Sequence, residues 1–324
     1  MSLEVLAPGM QSTVQACGRE GFRHLGVGFG GALDPGAHAI ANLLAGNPVS
    51  APTLEIALAG PTLRFGQAAC IALCGAAFDA DIDGEPLPAW HRAFVPAGSV
   101  LRIGGCRTGA RAWLAVSGGI HVPPVLGSAS TDLRGGFGGL EGRALRAGDR
   151  LRAGPLERSV GRMRVESWWI DPHALDPDPS MPIRVLPGAD ATAPDAGLFA
   201  GAWTIAPASD RQGLRLEGDP IALRDPREYV SEAIAAGSVQ LPPGGNPIVL
   251  LADAQTHGGY PCIGHAIRAD RGRLAQLRAG ERVRFMPCTR AEASAAGRER
   301  AHALARVALA IAGRAGIAPA RTSA

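Results

Sequence analysis

A chain of 324 residues with 46% hydrophobic and 19% charged residues carries enough apolar material for one large or two ordinary domains. Its net charge of +3 is scattered, with no basic run interleaved with aromatics, which argues against nucleic-acid binding, and no apolar run reaches the ~18 residues of a membrane span. All 32 Lys plus Arg residues are Arg, so a biotinyl-lysine, a Schiff-base lysine and a Walker A lysine are excluded together.

The first residues lack a basic segment followed by an apolar one, so no signal peptide is expected and a cytoplasmic location is the default. Cys17, Cys70, Cys74, Cys106, Cys262 and Cys288 form no Cys-x-x-Cys pair, and the eight histidines show no His-Glu-x-x-His spacing. Free, mostly buried thiols and no metal site are expected.

Gly26-Val27-Gly28-Phe29-Gly30-Gly31 satisfies G-x-G-x-x-G, but no clean strand precedes it, and Asp34 places a negative charge where a phosphate would sit. A flexible or close-packed loop is the better reading. A helix follows: Asp34 caps it, Pro35 suits its first position, Ala37, Ile40, Ala41 and Leu44 share a face, and Gly46 ends it. Beyond it lie many short apolar runs between glycines and prolines, including Ile71 to Leu73, Val100 to Ile103 and Trp113 to Val116. That pattern predicts β-sandwiches or barrels. Three Ala-Gly pairs, at 97–98, 147–148 and 279–280, each read as a turn feeding a strand.

The hydroxyl-rich run Gly127 to Asp132, containing Ser128 and Thr131, is not a nucleophile elbow, and turn hydrogen bonds explain it as readily as a site. The glycine run 135–139 fits a tight turn or a close approach to a ligand equally well. Asp171 to Pro182 carries four prolines and resembles a linker. The expected division is therefore 1–170, 183–290, and a C-terminal helix and tail over 291–324.

Ser209 to Gly218 reads as an alternating strand with Arg211, Arg215 and Glu217 on one face, where an Arg could clamp a carboxylate or could simply be solvated. After the apolar strand Ile248 to Leu251, the segment from Asp253 to Pro261 gathers a carboxylate, amide, hydroxyl, imidazole and phenol around Gly258 and Gly259. Arg290 to about Gly313 is Ala-rich, with interspersed Arg and Glu, and predicts a docked C-terminal helix.

Several long motifs in one order carry a family resemblance. They are GFRHLGVGFGGALDPGAHAIANLLAGNP, LEIALAGPTLRF, LAVSGGIHVPPVLGSASTDLRGGFGGLEGRALRAGDRL, SDRQGLRLEG, GSVQLPPGGNPIVLLADAQTHGGYPCIG and AQLRAGERVRF. They resemble the KipA-like, or biotin-dependent carboxyltransferase, family, whose members include the C subunit of 5-oxoprolinase and the carboxyltransferase part of urea amidolyase. Where that family often has Lys, this chain has Cys262.

The resemblance implies a mainly β protein of two cyclophilin-like β-barrel domains with a few helices. It implies membership of an ATP-dependent 5-oxoprolinase complex that converts 5-oxo-L-proline to L-glutamate, with one KipI-like and one LamB/YcsF-like partner chain. ATP with Mg would act at the level of the complex. Alternatives are the carboxyltransferase component of a urea-type carboxylase, with biotin on another chain, and a regulator that binds a KipI-like kinase inhibitor. On this reading Asp253, Thr256 and Tyr260 orient groups or exchange protons. Arg211 and Arg215 meet anions, and Gly258 and Gly259 offer backbone N–H groups. Gln240, Ser128, Thr131, Arg143 and Asn42 are further binding candidates.

Overall fold

The structure, a computed structural model, describes residues 2–156, 160–176, 178, 180–188, 190, 197–222 and 229–316. The chain separates into two compact units. One comprises Met1–Gly18, Asp34–Pro177 and Ala301–Ala324, and the other Arg19–Leu33 and Asp178–Arg300.

The first unit is built on β1 (Ser2–Ala7), β2 (Gln11–Gln15), β3 (Thr53–Ala57), β4 (Thr62–Phe65), β5 (Ala69–Ile82) and β6 (Glu85–Pro86). It continues with β7 (His91–Val95), β8 (Val100–Val116), β9 (Ile120–His121), β10 (Arg150–Ala153) and β11 (Arg164–Trp169). They form one 11-stranded sheet whose main path runs β11-β7-β5-β8-β4-β1-β10-β9. Leu3, Val5, Val14, Leu54, Ile56, Leu63, Phe65, Ile71, Leu73, Leu101, Ile103, Leu114 and Val116 share one core, each at most 3% exposed. Each such side chain contributes roughly 1.5–3 kcal/mol on burial.

This sheet is open, which corrects the expectation of two cyclophilin-like barrels. β5 and β8, 14 and 17 residues long, pair along most of their lengths across three bulges. β8 then branches. Its start pairs with β4 and its end with β3, which in turn holds β2. A ribbon that forks in this way gives the end strands β9 and β11 different neighbours, and the two edges do not meet.

α1 (Pro35–Ala45) begins and ends where its caps dictate. The Asp34 carboxylate accepts from the backbone N–H groups of Gly36 and Ala37 at 3.0 and 3.2 Å, and Gly46 adopts the left-handed conformation at φ 82°. The helix is buried from Gly36 to Ala45. It contacts β5 and β8.

The loop from Asp132 to Gly142 folds back on itself. Gly142 has φ +68°, and a Cβ there would lie 2.0 Å from the Gly136 carbonyl carbon. Both the conformation and the space exclude a side chain. Gly142→Ala is expected to cost at least ~2 kcal/mol, read as a lower thermal unfolding midpoint than that of Gly148→Ala, where φ is also positive but the space is open.

The second unit contains the closed barrel. Its strands are β12 (Ile183–Pro187), β13 (Ala202–Ile205), β14 (Gly213–Glu217), β16 (Ser238–Gln240), β17 (Ile248–Leu250), β19 (Cys262–Ala266) and β20 (Arg282–Pro287). A separate ribbon pairs β15 (Glu232–Ala233) with β18 (His257–Gly258). The order β12-β19-β16-β17-β14-β13-β20 closes because β12 also pairs parallel with β20, Ile183 opposite Phe285. Val185, Val239, Val249, Leu216 and Ile205 are at most 1% exposed, as expected of a barrel small enough for side chains to fill.

The three Ala-Gly turns behave alike. Gly98, Gly148 and Gly280 have φ between 85° and 89°, and each lies two residues before its strand. α2 (Arg271–Leu274) is a single turn. α3 (Arg290–Ala315) opens on a capping box in which the Thr289 N–H donates to the Glu292 carboxylate at 2.7 Å and the Glu292 N–H donates to Thr289 Oγ1 at 3.2 Å. No helix among the described residues is long and apolar enough to cross a membrane.

Candidate functional site

The segment after β17 is fixed by an ion pair. Arg211 donates from Nε and one terminal nitrogen to the Asp253 carboxylate at 2.8 and 2.9 Å, and that terminal nitrogen also donates to the Gly31 carbonyl at 2.8 Å. The two side chains are 4% and 6% exposed. Strand parity in the sequence placed Arg211 on the same face as Arg215 and Glu217. The strand begins only at Gly213, so Arg211 sits in the preceding turn and points inward, while Arg215 and Glu217 are exposed.

The glycine loop at 26–31 packs against this corner. The Gly30 N–H donates to the Ala252 carbonyl at 2.9 Å, and a Cβ on Gly28 would lie 3.1 Å from the Ala254 carbonyl oxygen. At Gly30 the loop backbone is thus engaged by protein, which agrees with the close-packed of the two readings, while Gly26 and Phe29 are exposed.

From there the chain runs beside β15. The Ile234 N–H donates to the Thr256 carbonyl at 3.0 Å, and the Arg23 guanidinium donates to the Ile234 carbonyl. Thr256 is 5% exposed, with its hydroxyl 2.8 Å from His257 Nδ1. Gly258 passes so close to Gln240 that a Cβ would lie 2.5 Å from Gln240 Nε2, and that amide also reaches the Tyr260 carbonyl at 3.5 Å. The Tyr260 ring is 48% exposed. Asp253, Thr256, Gly258, Gly259, Tyr260, Gln240 and Arg211 therefore belong to one continuous corner of the second unit, with a buried ionic base and an exposed phenol. Arg215 lies on the adjoining β14.

Asn42, Ser128, Thr131 and Arg143 belong to the first unit and have their own partners there. Asn42 is fully buried. It donates to the Ala51 carbonyl at 2.8 Å and accepts from the Asn47 amide at 3.0 Å. Ser128 donates to the Cys17 carbonyl at 2.5 Å, and Thr131 to the Val14 carbonyl at 2.9 Å. Arg143 clamps Asp149 through both terminal nitrogens at 2.7 and 3.0 Å and also binds Glu141, and the Asp149 partner raises its pKa further.

Two features escaped the sequence reading. One is a buried polar layer holding His38, Thr53, Gln15 and Glu55, each at most 3% exposed. The alternation of Thr13 and Gln15 with Val14, and of Thr53 and Glu55 with Leu54, was its only signal. The other is a Cys262–His265–Ser238 cluster on neighbouring barrel strands. Among the described residues, no group of three or more His, Cys, Asp and Glu side chains could hold a metal ion.

Residues 25–287 match the carboxyltransferase domain, subdomains A and B, and the chain belongs to that family. It is 42% identical over 298 residues to the C subunit of 5-oxoprolinase from Escherichia coli strain K12, covering 90% of this chain and 93% of that one. It is 38% identical over 299 residues to the Haemophilus influenzae protein of the same description, with the same coverages. The crystal structure of the Kluyveromyces lactis urea carboxylase matches with a TM-score of 0.84 at 28% identity, covering 94% of this chain. The chain spans only 29% of that larger protein.

Proposed function

We propose that this chain is the C subunit of an ATP-dependent 5-oxoprolinase, which opens 5-oxo-L-proline to L-glutamate and is inactive without its partners. The observation that carries the reading is the 42% identity to the Escherichia coli C subunit over nearly the full length of both chains. The partners are one KipI-like and one LamB/YcsF-like chain.

ATP with Mg supplies activation of the stable lactam amide at the level of the complex. This chain has no lysine for a phosphate, which supports ATP binding on a partner. Asp253, paired with Arg211, orders the 253–260 segment. Thr256 and Tyr260 orient the lactam and exchange protons, and backbone N–H groups at Gly258 and Gly259 meet developing negative charge. Gln240 fixes the Gly258–Tyr260 backbone, and Arg215 offers an exposed cation to an anionic substrate. Asn42, Ser128, Thr131 and Arg143 hold loops of the first unit in place.

The test is glutamate formation from 5-oxoproline and ATP, with all three chains and with each omitted in turn. Turnover is expected to vanish without this chain and to fall about a hundredfold with Tyr260→Phe, whose exposed ring leaves stability unchanged. Full turnover in the absence of this chain overturns the reading. The likeness to urea carboxylase favours a second one, carboxyl transfer with biotin on another chain, which a co-purifying biotinylated protein would support.

A further inference from the structure

We propose that Cys262, His265 and Ser238 form a thiol nucleophile that accepts an acyl group from an acyl phosphate. Cys262 and His265 are three apart on β19, a spacing that puts two residues of a regular strand on opposite faces. A bulge reverses this. Val239 pairs with Gly264 and Gln240 with Cys262, so Ile263 is an extra residue between them. The Cys262 sulfur then lies 3.7 Å from His265 Nε2, and His265 Nδ1 lies 3.2 Å from the hydroxyl of Ser238, its cross-strand partner. His265 is exposed and Cys262 half-buried, so the pair is open to a small reagent.

The hydrogen bonds suit base catalysis. Ser238 Oγ accepts from the Ala235 N–H at 3.1 Å and can also accept Nδ1–H of His265, leaving Nε2 as the proton acceptor facing sulfur. At rest the thiol also reaches the Gly264 carbonyl at 3.3 Å. Among the described residues, the charged groups facing the pair are Asp190, whose carboxylate accepts the Cys262 N–H at 3.1 Å, and Arg271 of α2. Burial and then Asp190 push the thiol pKa up, whereas Ser238 pulls it down. Burial and Arg271 lower that of His265, so near neutrality the pair is a thiol beside a neutral imidazole. Arg271 Nε has no hydrogen-bond partner among the described residues, and its charge beside the pair favours a donor with an anionic leaving group.

In the step, the thiol proton passes to His265 Nε2 and the sulfur attacks the carbonyl carbon. The carbon–oxygen bond to phosphate breaks, and phosphate leaves with the bonding pair and takes the proton from His265. The products are a Cys262 thioester and inorganic phosphate.

The test treats the full chain, without its partner chains or 5-oxoproline, with acetyl phosphate and follows intact mass and mapped peptides. One acetyl group on Cys262, released by neutral hydroxylamine and absent in Cys262→Ser, is expected. His265→Gln should slow labelling about a hundredfold and remove its rise with pH across the mildly acidic range, below the ordinary imidazole value. Labelling of the exposed Cys17 in preference to Cys262, or an unchanged rate and pH profile in His265→Gln, overturns the proposal. Because the assay contains no other protein, its outcome is independent of the 5-oxoprolinase reading.

Discussion

Replacing Arg211 by Ala is expected to destabilise the second unit by about 3–5 kcal/mol and to abolish turnover of the assembled complex. Arg211 and Asp253 are almost fully buried, and removing one partner of such a pair leaves the other charge with its desolvation penalty and without its guanidinium. The same guanidinium ties the Gly31 carbonyl, so the glycine loop loses an anchor at the same time. Arg211→Lys should recover little, because an ammonium cannot make the two parallel bonds to Asp253 while also reaching Gly31. Replacing both partners, with Arg211→Met and Asp253→Leu, should restore much of the stability but none of the activity, since the apolar pair carries no buried charge. Urea unfolding of the isolated chain and turnover of the complex separate the two effects. A variant Arg211→Ala that keeps wild-type stability and full turnover would remove this pair from both roles.

The second large effect is on acid stability. His38 has two side-chain hydrogen-bonding neighbours, Asn42 and Thr53, that suit its neutral form. The Asn42 amide faces Nε2 at 3.4 Å, Nδ1 lies 2.9 Å from the Thr53 hydroxyl, and that hydroxyl reaches the Gln15 carbonyl at 3.5 Å. Burial lowers the His38 pKa to about 4, against the opposing influence of Glu55.

Between the ordinary value of 6.5 and about 4, the unfolded chain binds a proton that the folded chain rejects. Stability therefore rises with pH across this window, is fully present above it, and is lost as the pH falls from 6.5 towards 4. The slope approaches 1.4 kcal/mol per pH unit for this one group, roughly 3 kcal/mol in all. Urea unfolding at pH 7 and pH 4.5 should show the difference, and His38→Gln should flatten it even if the variant is less stable at both. An equal loss in wild type and His38→Gln would show that carboxylates, not His38, govern acid unfolding.

Features set by local hydrogen bonding were visible in the sequence. α1 could be read from Asp34, Pro35 and Gly46 because capping is local, and the structure ends the helix at those residues. The start of α3 at Arg290 and the turns at Gly98, Gly148 and Gly280 are local in the same sense. So is the absence of lysine, which excludes a biotinyl-lysine on this chain.

What escaped the sequence depends on pairing partners far along the chain. Only the parallel contact of β12 with β20 closes the second sheet, and only the fork of β8 between β4 and β3 keeps the first one open. No stretch of residues carries that difference, because short apolar strands with glycine turns fit either outcome. Thr13, Gln15, Thr53 and Glu55 alternate as a solvated strand face would, yet α1 is buried along its length and these side chains are dry. Parity failed for Arg211 because its strand starts two residues later, and for Cys262 and His265 because a bulge changes the count between them. Local hydrogen bonding and composition determined the helices, the turns and the excluded chemistries. Long-range register decided which polar groups are buried, which charges are paired, and which thiol meets an imidazole, because one added residue or one closed edge changes the face on which every later side chain stands.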